Sequence, residues 1–168
     1  MRAKYIDRLA GEILTGEPDP DSFSTAHMER GKEMEAEARA WYAMTYAPVE
    51  QVGFIRLGRA GASPDSLVGD AGGLEIKTAM PTVHLPRLRK GELPNEHRAQ
   101  VQGNLWISGR QWWDFMSYWP GLPPLVIRVP RDEAYIAKLA AAVDAFNEEL
   151  DAAVDAIRTF QDFRRAAA

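Results

Sequence analysis

Residues 63–78, SPDSLVGDAGGLEIKT, set the tightest limit on how this chain can fold. Glu75 and Lys77 are two positions apart, so on a strand they project from one face. Asp65 comes ten positions before Glu75, with Gly69, Asp70, Gly72 and Gly73 between them. That density of turn formers predicts two short antiparallel strands joined by a Gly-rich turn. Folded back in this way, Asp65 meets Glu75 at one end of a sheet. Two carboxylates and an ammonium are costly to bury together unless something binds them. A divalent cation would do so, and a hard cation such as magnesium takes oxygen ligands.

The length of 168 residues suits one domain spanning 1–168. With 46% hydrophobic residues and five Trp, the chain can bury a substantial core. The absence of Cys excludes disulfides, thiolate zinc sites and thiol nucleophiles, and it fits a reducing cytoplasm. The opening MRAKYIDRLAGEILTG carries charges throughout and has no signal-peptide core. No apolar run approaches the roughly 18 residues of a membrane span. The expectation is a soluble cytoplasmic protein with no membrane partner. A net charge of −4 weighs against nucleic acid, but the charges are segregated. Residues 84–110 hold Arg87, Arg89, Lys90, Arg98 and Arg110 against Glu92 and Glu96, whereas residues 132–155 hold seven acids and one Lys.

In chain order, residues 4–14 read as a helix, ended by Gly16 and the run EPDPD. A second helix spans about 25–46, with Ser24 or Thr25 as its N-cap. Glu29, Glu33 and Glu37 form its solvated face. Met28, Gly31, Glu35, Ala38 and Tyr42 form an inward stripe in which Glu35 is the one charge, and Gly31 would let another backbone approach. Residues 49–57 read as a strand, 56–61 as a turn, and 79–94, with three Pro, as a mobile loop. A helix follows over 96–108, capped by Asn95, with Val101, Leu105 and Trp106 in the core. Residues 111–119 and 125–129 read as strands, and 131–163 as a long helix striped by Tyr135, Leu139, Val143, Phe146, Leu150, Val154 and Ile157. His84 and His97 are expected at the surface, and the Trp residues at 106, 112, 113 and 119 mostly in the core. The fold class is therefore α/β, a central mixed β-sheet flanked by helices.

The D-x9-E-x-K spacing, the SPD lead-in and LEIKT resemble the core of PD-(D/E)xK nucleases. YIDRLAGEILTG at 5–16, GKEMEAEAR at 31–39 and AQVQGNLW at 99–106 resemble, in the same order, the lambda-exonuclease or YqaJ-type viral recombinase branch. The resemblance covers nearly the whole chain and implies a restriction-endonuclease-like core. It implies that Asp65, Glu75 and the main-chain carbonyl of Ile76 bind the catalytic magnesium, for which manganese substitutes. Lys77 would hold or activate the attacking water, Glu35 would sit beside the metal, and Gln100 would orient groups near the scissile phosphate. Such enzymes degrade linear double-stranded DNA from 5′ ends, commonly as a ring-shaped homotrimer, beside a phage single-strand annealing protein in a bacterial host. Ser66 stands where the family motif has Gly, a change expected to matter little because position 66 is not a ligand. The segment of longer members that carries a 5′-phosphate-gripping arginine is expected to be absent, so another basic residue would have to replace it.

Phosphodiester hydrolysis needs a hydroxide nucleophile, neutralised phosphate charge and help for the leaving oxygen, all of which metal ions can supply. On the helix over 96–108, the face of His97, Gln100 and Asn104, not that of Gln102, should look at the site. Arg87, Arg89, Lys90, His97 and Arg98 form either a solvated loop or a patch that tracks DNA phosphates. Two other functions fit the same residues: a structure-specific or endonucleolytic nuclease, and a DNA-end-binding recombination protein with weak turnover.

Overall fold

The structure, a computed structural model, describes residues 2–19 and 26–166, with side chains except at 26–30, 32 and 161–166. Among these residues the order is α1 (Arg2–Thr15), α2 (Ala26–Thr45), β1 (Val49–Glu50), β2 (Ile55–Leu57), β3 (Ala60–Ala62), β4 (Ser66–Val68) and β5 (Gly72–Thr78). Then come α3 (Pro81–Lys90), α4 (Asn95–Ser108), β6 (Trp112–Tyr118), β7 (Leu125–Pro130) and α5 (Glu133–Ala166). The chain divides into two compact units: α1 with α5 from Ala140 onward, and the described residues 26–139.

The larger unit is built outward from the expected hairpin. β4 and β5 pair antiparallel, Ser66 opposite Leu74 and Val68 opposite Gly72. The full sheet runs β1-β4-β5-β6-β7, and only the β5–β6 pair is parallel. A parallel pair needs a long crossover, which α3 and α4 supply. Alternation along β5 then sorts the residues by face. Leu74 and Ile76 join Val68, Met116 and Tyr118 in a core closed by Ala38 and Tyr42 of α2. On the opposite face, Trp113, Phe115 and Val129 pack against Val101 and Leu105 of α4 and Ile136 of α5. The two tryptophans beside the hairpin explain its paired glycines. A Cβ on Gly72 would lie 2.1 Å from the Trp112 ring, and one on Gly73 2.3 Å from that of Trp113.

An ion pair between buried Asp114 and exposed Arg128 ties the α2 core to the sheet. Asp114 accepts from the Tyr42 hydroxyl at 2.6 Å and from Arg128 through two bonds of 2.9 Å. Burial, and then the Asp114 carboxylate, push the Tyr42 hydroxyl far above its usual range. Arg128 in turn lies 3.6 Å from the Trp112 ring centroid.

The smaller unit is a helix pair. Ile6 and Ala10 of α1 pack with Leu150 and Val154 of α5, and Tyr5 meets Phe146 with ring centroids 5.7 Å apart. Arg2 holds Glu149 through two bonds of 2.9 and 2.7 Å. Most of the expected α5 stripe is inward here, although Ile157 is exposed.

Several expectations are corrected. Residues 49–57 are not one strand: β1 edges the main sheet, and β2 turns away into a two-stranded hairpin with β3. Residues 79–94 are mostly helix. Pro81 begins α3, where its fixed φ suits a first turn and its missing N–H is not needed. Gly91, at φ +65°, ends it by donating to the Arg87 carbonyl. Pro86 inside the helix is tolerated because tertiary bonds hold the segment. His84 is buried, not superficial, and its ring nitrogens bond Ser117 Oγ at 2.8 Å and the Pro123 carbonyl at 2.9 Å. Asn95 lies within α4, and Pro94 is the cap residue. α5 starts two residues later than expected, since the Asp132 carboxylate accepts from the Tyr135 N–H at 3.0 Å and caps it. Gly31 has nothing within 4 Å of a built Cβ among the described residues, so no backbone packs on it. The proposed caps Ser24 and Thr25, and the side chains of Met28 and Glu29, lie outside the described residues.

Candidate active site

The hairpin brings Asp65 and Glu75 together at the base of β4 and β5. Asp65 Oδ2 accepts from the Ile76 N–H at 2.6 Å. Glu75 is almost wholly buried, and both of its oxygens are engaged. Oε1 meets Lys77 Nζ at 2.5 Å, and Oε2 accepts from Asn104 Nδ2 at 3.1 Å. Glu75 and Lys77 share a strand face, as their spacing required.

These carboxylates are held against their preferred charge. Burial pushes Glu75 up to about 7, and the Asp65 charge adds to this, while Lys77 and Asn104 oppose it. Asp65 is also raised, first by burial; the Ile76 N–H works against the rise, and the Glu35 charge with it. Glu35, on α2, therefore acts electrostatically on the same site. Its Oε1 accepts from Arg39 Nη2 one helical turn on.

The fit to a cation follows from the donors. Two neighbouring carboxylates raised by burial, with the Asp65 charge raising Glu75 further, are what a hard divalent cation relieves. No cluster of three or more His, Cys, Asp or Glu able to hold a metal occurs among the described residues. A cation here would therefore take Asp65 and Glu75 as side-chain ligands, which leaves a place for a main-chain oxygen such as that of Ile76.

The other expected residues divide. Gln100 is exposed, one turn before Asn104 on α4, and makes no side-chain hydrogen bond among the described residues. Gln102 points away from the site: its amide donates to the Pro130 carbonyl at 2.9 Å and accepts from the Asp132 N–H at 3.0 Å. Arg87 is largely turned inward. It donates to His97 Nε2 at 2.9 Å and to Glu96 at 3.4 Å, and lies 5.9 Å from the Phe115 ring centroid. Burial, then Arg87 and Lys77, lower the pKa of His97, and it stacks on Phe115 at 5.1 Å. Arg98 pairs with Asp132 at 2.8 Å and covers Tyr135 at 4.7 Å. Arg89 and Lys90 are exposed at the end of α3.

Two polar residues at the site carry more than their sequence positions suggested. Asn104 grips Glu75, and the signal for it was a polar residue one turn after Gln100, between the core positions Val101 and Leu105. Ser66 is fully buried and accepts from Arg39 Nε at 3.0 Å. It has a structural role, tying α2 to the Asp65 backbone.

A five-stranded mixed sheet flanked by helices, with an acidic pair and a lysine on its central hairpin, is a restriction-endonuclease-like fold. Residues 2–111 match the YqaJ-like viral recombinase domain, and the chain belongs to that family. LHK-Exo, an alkaline exonuclease from Laribacter hongkongensis, is 37% identical over 99% of this chain and 85% of its own, with a TM-score of 0.85. A second structure of LHK-Exo, in complex with dAMP, matches equally well. A phage-related exonuclease from Haemophilus somnus 129PT shares the fold at 14% identity, with a TM-score of 0.67 over 92% of this chain and 82% of its own. No curated protein sequence gives a match. Among the described residues no helix is long and apolar enough to cross a membrane.

Proposed function

We propose that the protein is a magnesium-dependent exodeoxyribonuclease that shortens linear double-stranded DNA from 5′ ends, leaving 3′ single strands for recombination. The observation that carries this is the Asp65–Glu75 pair, both raised first by burial, with Lys77 bonded to Glu75. Family membership and the exonuclease relatives support the reaction class. The relative captured with dAMP holds a mononucleotide, the kind of product that stepwise removal releases.

Asp65, Glu75 and the Ile76 carbonyl would hold magnesium or manganese. The ion supplies an acidified water and neutralises phosphate charge. The chain's own groups do the rest. Lys77 would hold the attacking water through Nζ. The water oxygen bonds to phosphorus while the bond from phosphorus to the 3′ oxygen breaks. The attacking water gives up a proton to solvent, the leaving 3′ oxygen takes one from solvent, and the freed nucleotide keeps its 5′-phosphate. Asn104 keeps the Glu75 carboxylate in place, and Glu35 adds negative charge beside Asp65. Gln100, exposed on the same helix, contacts the phosphate from the open side. Arg89 and Lys90 are the outward cations that contact DNA phosphates, while Arg87, His97 and Arg98 hold the surface that presents them. A homotrimer around the DNA, a single-strand annealing partner and a cytoplasmic location complete the proposal.

The test is digestion of matched linear and covalently closed circular duplexes with magnesium. The expected result is loss of the linear form with the circle intact. Nicking of the circle would replace the exonuclease reading with an endonuclease. Cation binding with no cleavage of either form would leave a DNA-end-binding protein.

A further inference from the structure

The charges around the hairpin fall into two pairs and a remainder. Lys77 pairs with Glu75, Arg39 pairs with Glu35, and Asp65 rests on the Ile76 N–H. The two cations are held differently. Lys77 has a flexible stem, a partly exposed side chain and one bond, to a single oxygen. Arg39 is more deeply buried and is held at two points: Nη2 donates to Glu35 Oε1, and Nε donates to Ser66 Oγ at 3.0 Å. A guanidinium gripped at two nitrogens has its plane fixed. Ser66 is itself pinned, since it is fully buried and its hydroxyl donates to the Asp65 carbonyl at 2.5 Å. The residue after Asp65 thus ties the backbone of one carboxylate to the partner of another.

We propose that Ser66 is a positioning residue for cation binding: by clamping the Arg39 guanidinium, it fixes the Glu35 carboxylate beside Asp65. The inference rests on reading Asp65 and Glu75 as a cation site. Glu35 Oε1 is taken by Arg39, and Oε2 has no hydrogen bond among the described residues, so one oxygen stays available to a cation or its water. Arg39 also stays when a cation arrives, because its hold on Ser66 does not depend on any carboxylate. Lys77 has no such second anchor and is the cation that moves.

The experiment is calorimetric titration of manganese into the full chain without DNA. Compared are the wild type, Ser66→Ala, Glu35→Gln and the double variant. Ser66→Ala removes one hydrogen bond and no charge, so it should weaken manganese binding about fivefold. In the Glu35→Gln background the same change should add nothing, because Ser66 acts through Glu35. Arg39→Lys keeps the charge but loses the fork, and should match Ser66→Ala; it also carries the comparison if Ser66→Ala does not fold. Unchanged binding by Ser66→Ala, or an equal loss with and without Glu35, overturns the inference and leaves the cation site standing. A wild type that binds no manganese overturns both.

Discussion

Replacing Glu75 by Gln should make the metal-free protein more stable, by an amount set by the site's electrostatics. The Glu75 carboxyl is nearly fully buried, and its folded pKa rises from 4.5 to about 7. The folded state then holds the proton more tightly than the unfolded state does. Stability from this group is fully present below pH 4.5, is lost as pH rises toward 7, and stays lost above. At about 1.4 kcal/mol per pH unit, the gap amounts to about 3 kcal/mol at pH 8. Gln cannot ionise, keeps the shape and still meets Asn104. For a chain of this length, about 3 kcal/mol corresponds to a rise in Tm of roughly 6–12 °C. The assay is thermal unfolding with a chelator at pH 5 and pH 8. The wild type should lose stability between the two, and Glu75→Gln should lose much less. Manganese should stabilise the wild type more at pH 8 than at pH 5, and should not stabilise the variant. A variant less stable than the wild type at pH 8 would refute the claim that these carboxylates are held against their preferred charge.

Other perturbations test the frame and the chemistry. Gly73→Ala drives a methyl into the Trp113 ring and should cost about 1–3 kcal/mol in chemical denaturation. Asp114→Ala leaves the buried Tyr42 hydroxyl without its acceptor, so chemical denaturation should show a loss of about 1–3 kcal/mol. Asn104→Ala leaves one Glu75 oxygen without its donor; duplex digestion should slow about tenfold while circular dichroism stays unchanged. Arg89→Ala with Lys90→Ala should weaken duplex binding and flatten its salt dependence by one to two phosphate contacts, measured by fluorescence anisotropy.

What the sequence made legible was local. The β4–β5 hairpin could be read because its turn formers are contiguous and its side-chain period is two. The lone charge of Glu35 on an otherwise apolar stripe was visible for the same reason: one helix face exposes the exception. The α3 segment was not legible. Its prolines read as a loop, but the bonds from His84 to Ser117 and Pro123, 33 and 39 residues away, decide its conformation. Asn104 could be placed on the right helix face, but its partner Glu75 lies 29 residues earlier and meets it only through packing. Ser66 looked inconsequential because a ligand is named by its own chemistry. Its contact with Arg39 spans 27 residues and appears only when α2 lies on the sheet. The basic cluster shows the same limit from the other side. Composition grouped Arg87, Arg89, Lys90 and Arg98, whereas packing turns Arg87 inward, pairs Arg98 with Asp132 and leaves Arg89 and Lys90 outward.

The central claim is that Asp65, Glu75 and Lys77 form a hydrolytic site for DNA ends. The most direct measurement uses linear duplexes labelled at one 5′ or 3′ end, incubated with magnesium and wild type, Asp65→Ala or Lys77→Ala protein. The account predicts early release of the 5′ label as mononucleotide by the wild type, retention of the 3′ label, and no release by either variant, both of which remain folded. Label released by Asp65→Ala or Lys77→Ala at the wild-type rate, or none released by the wild type, would contradict it.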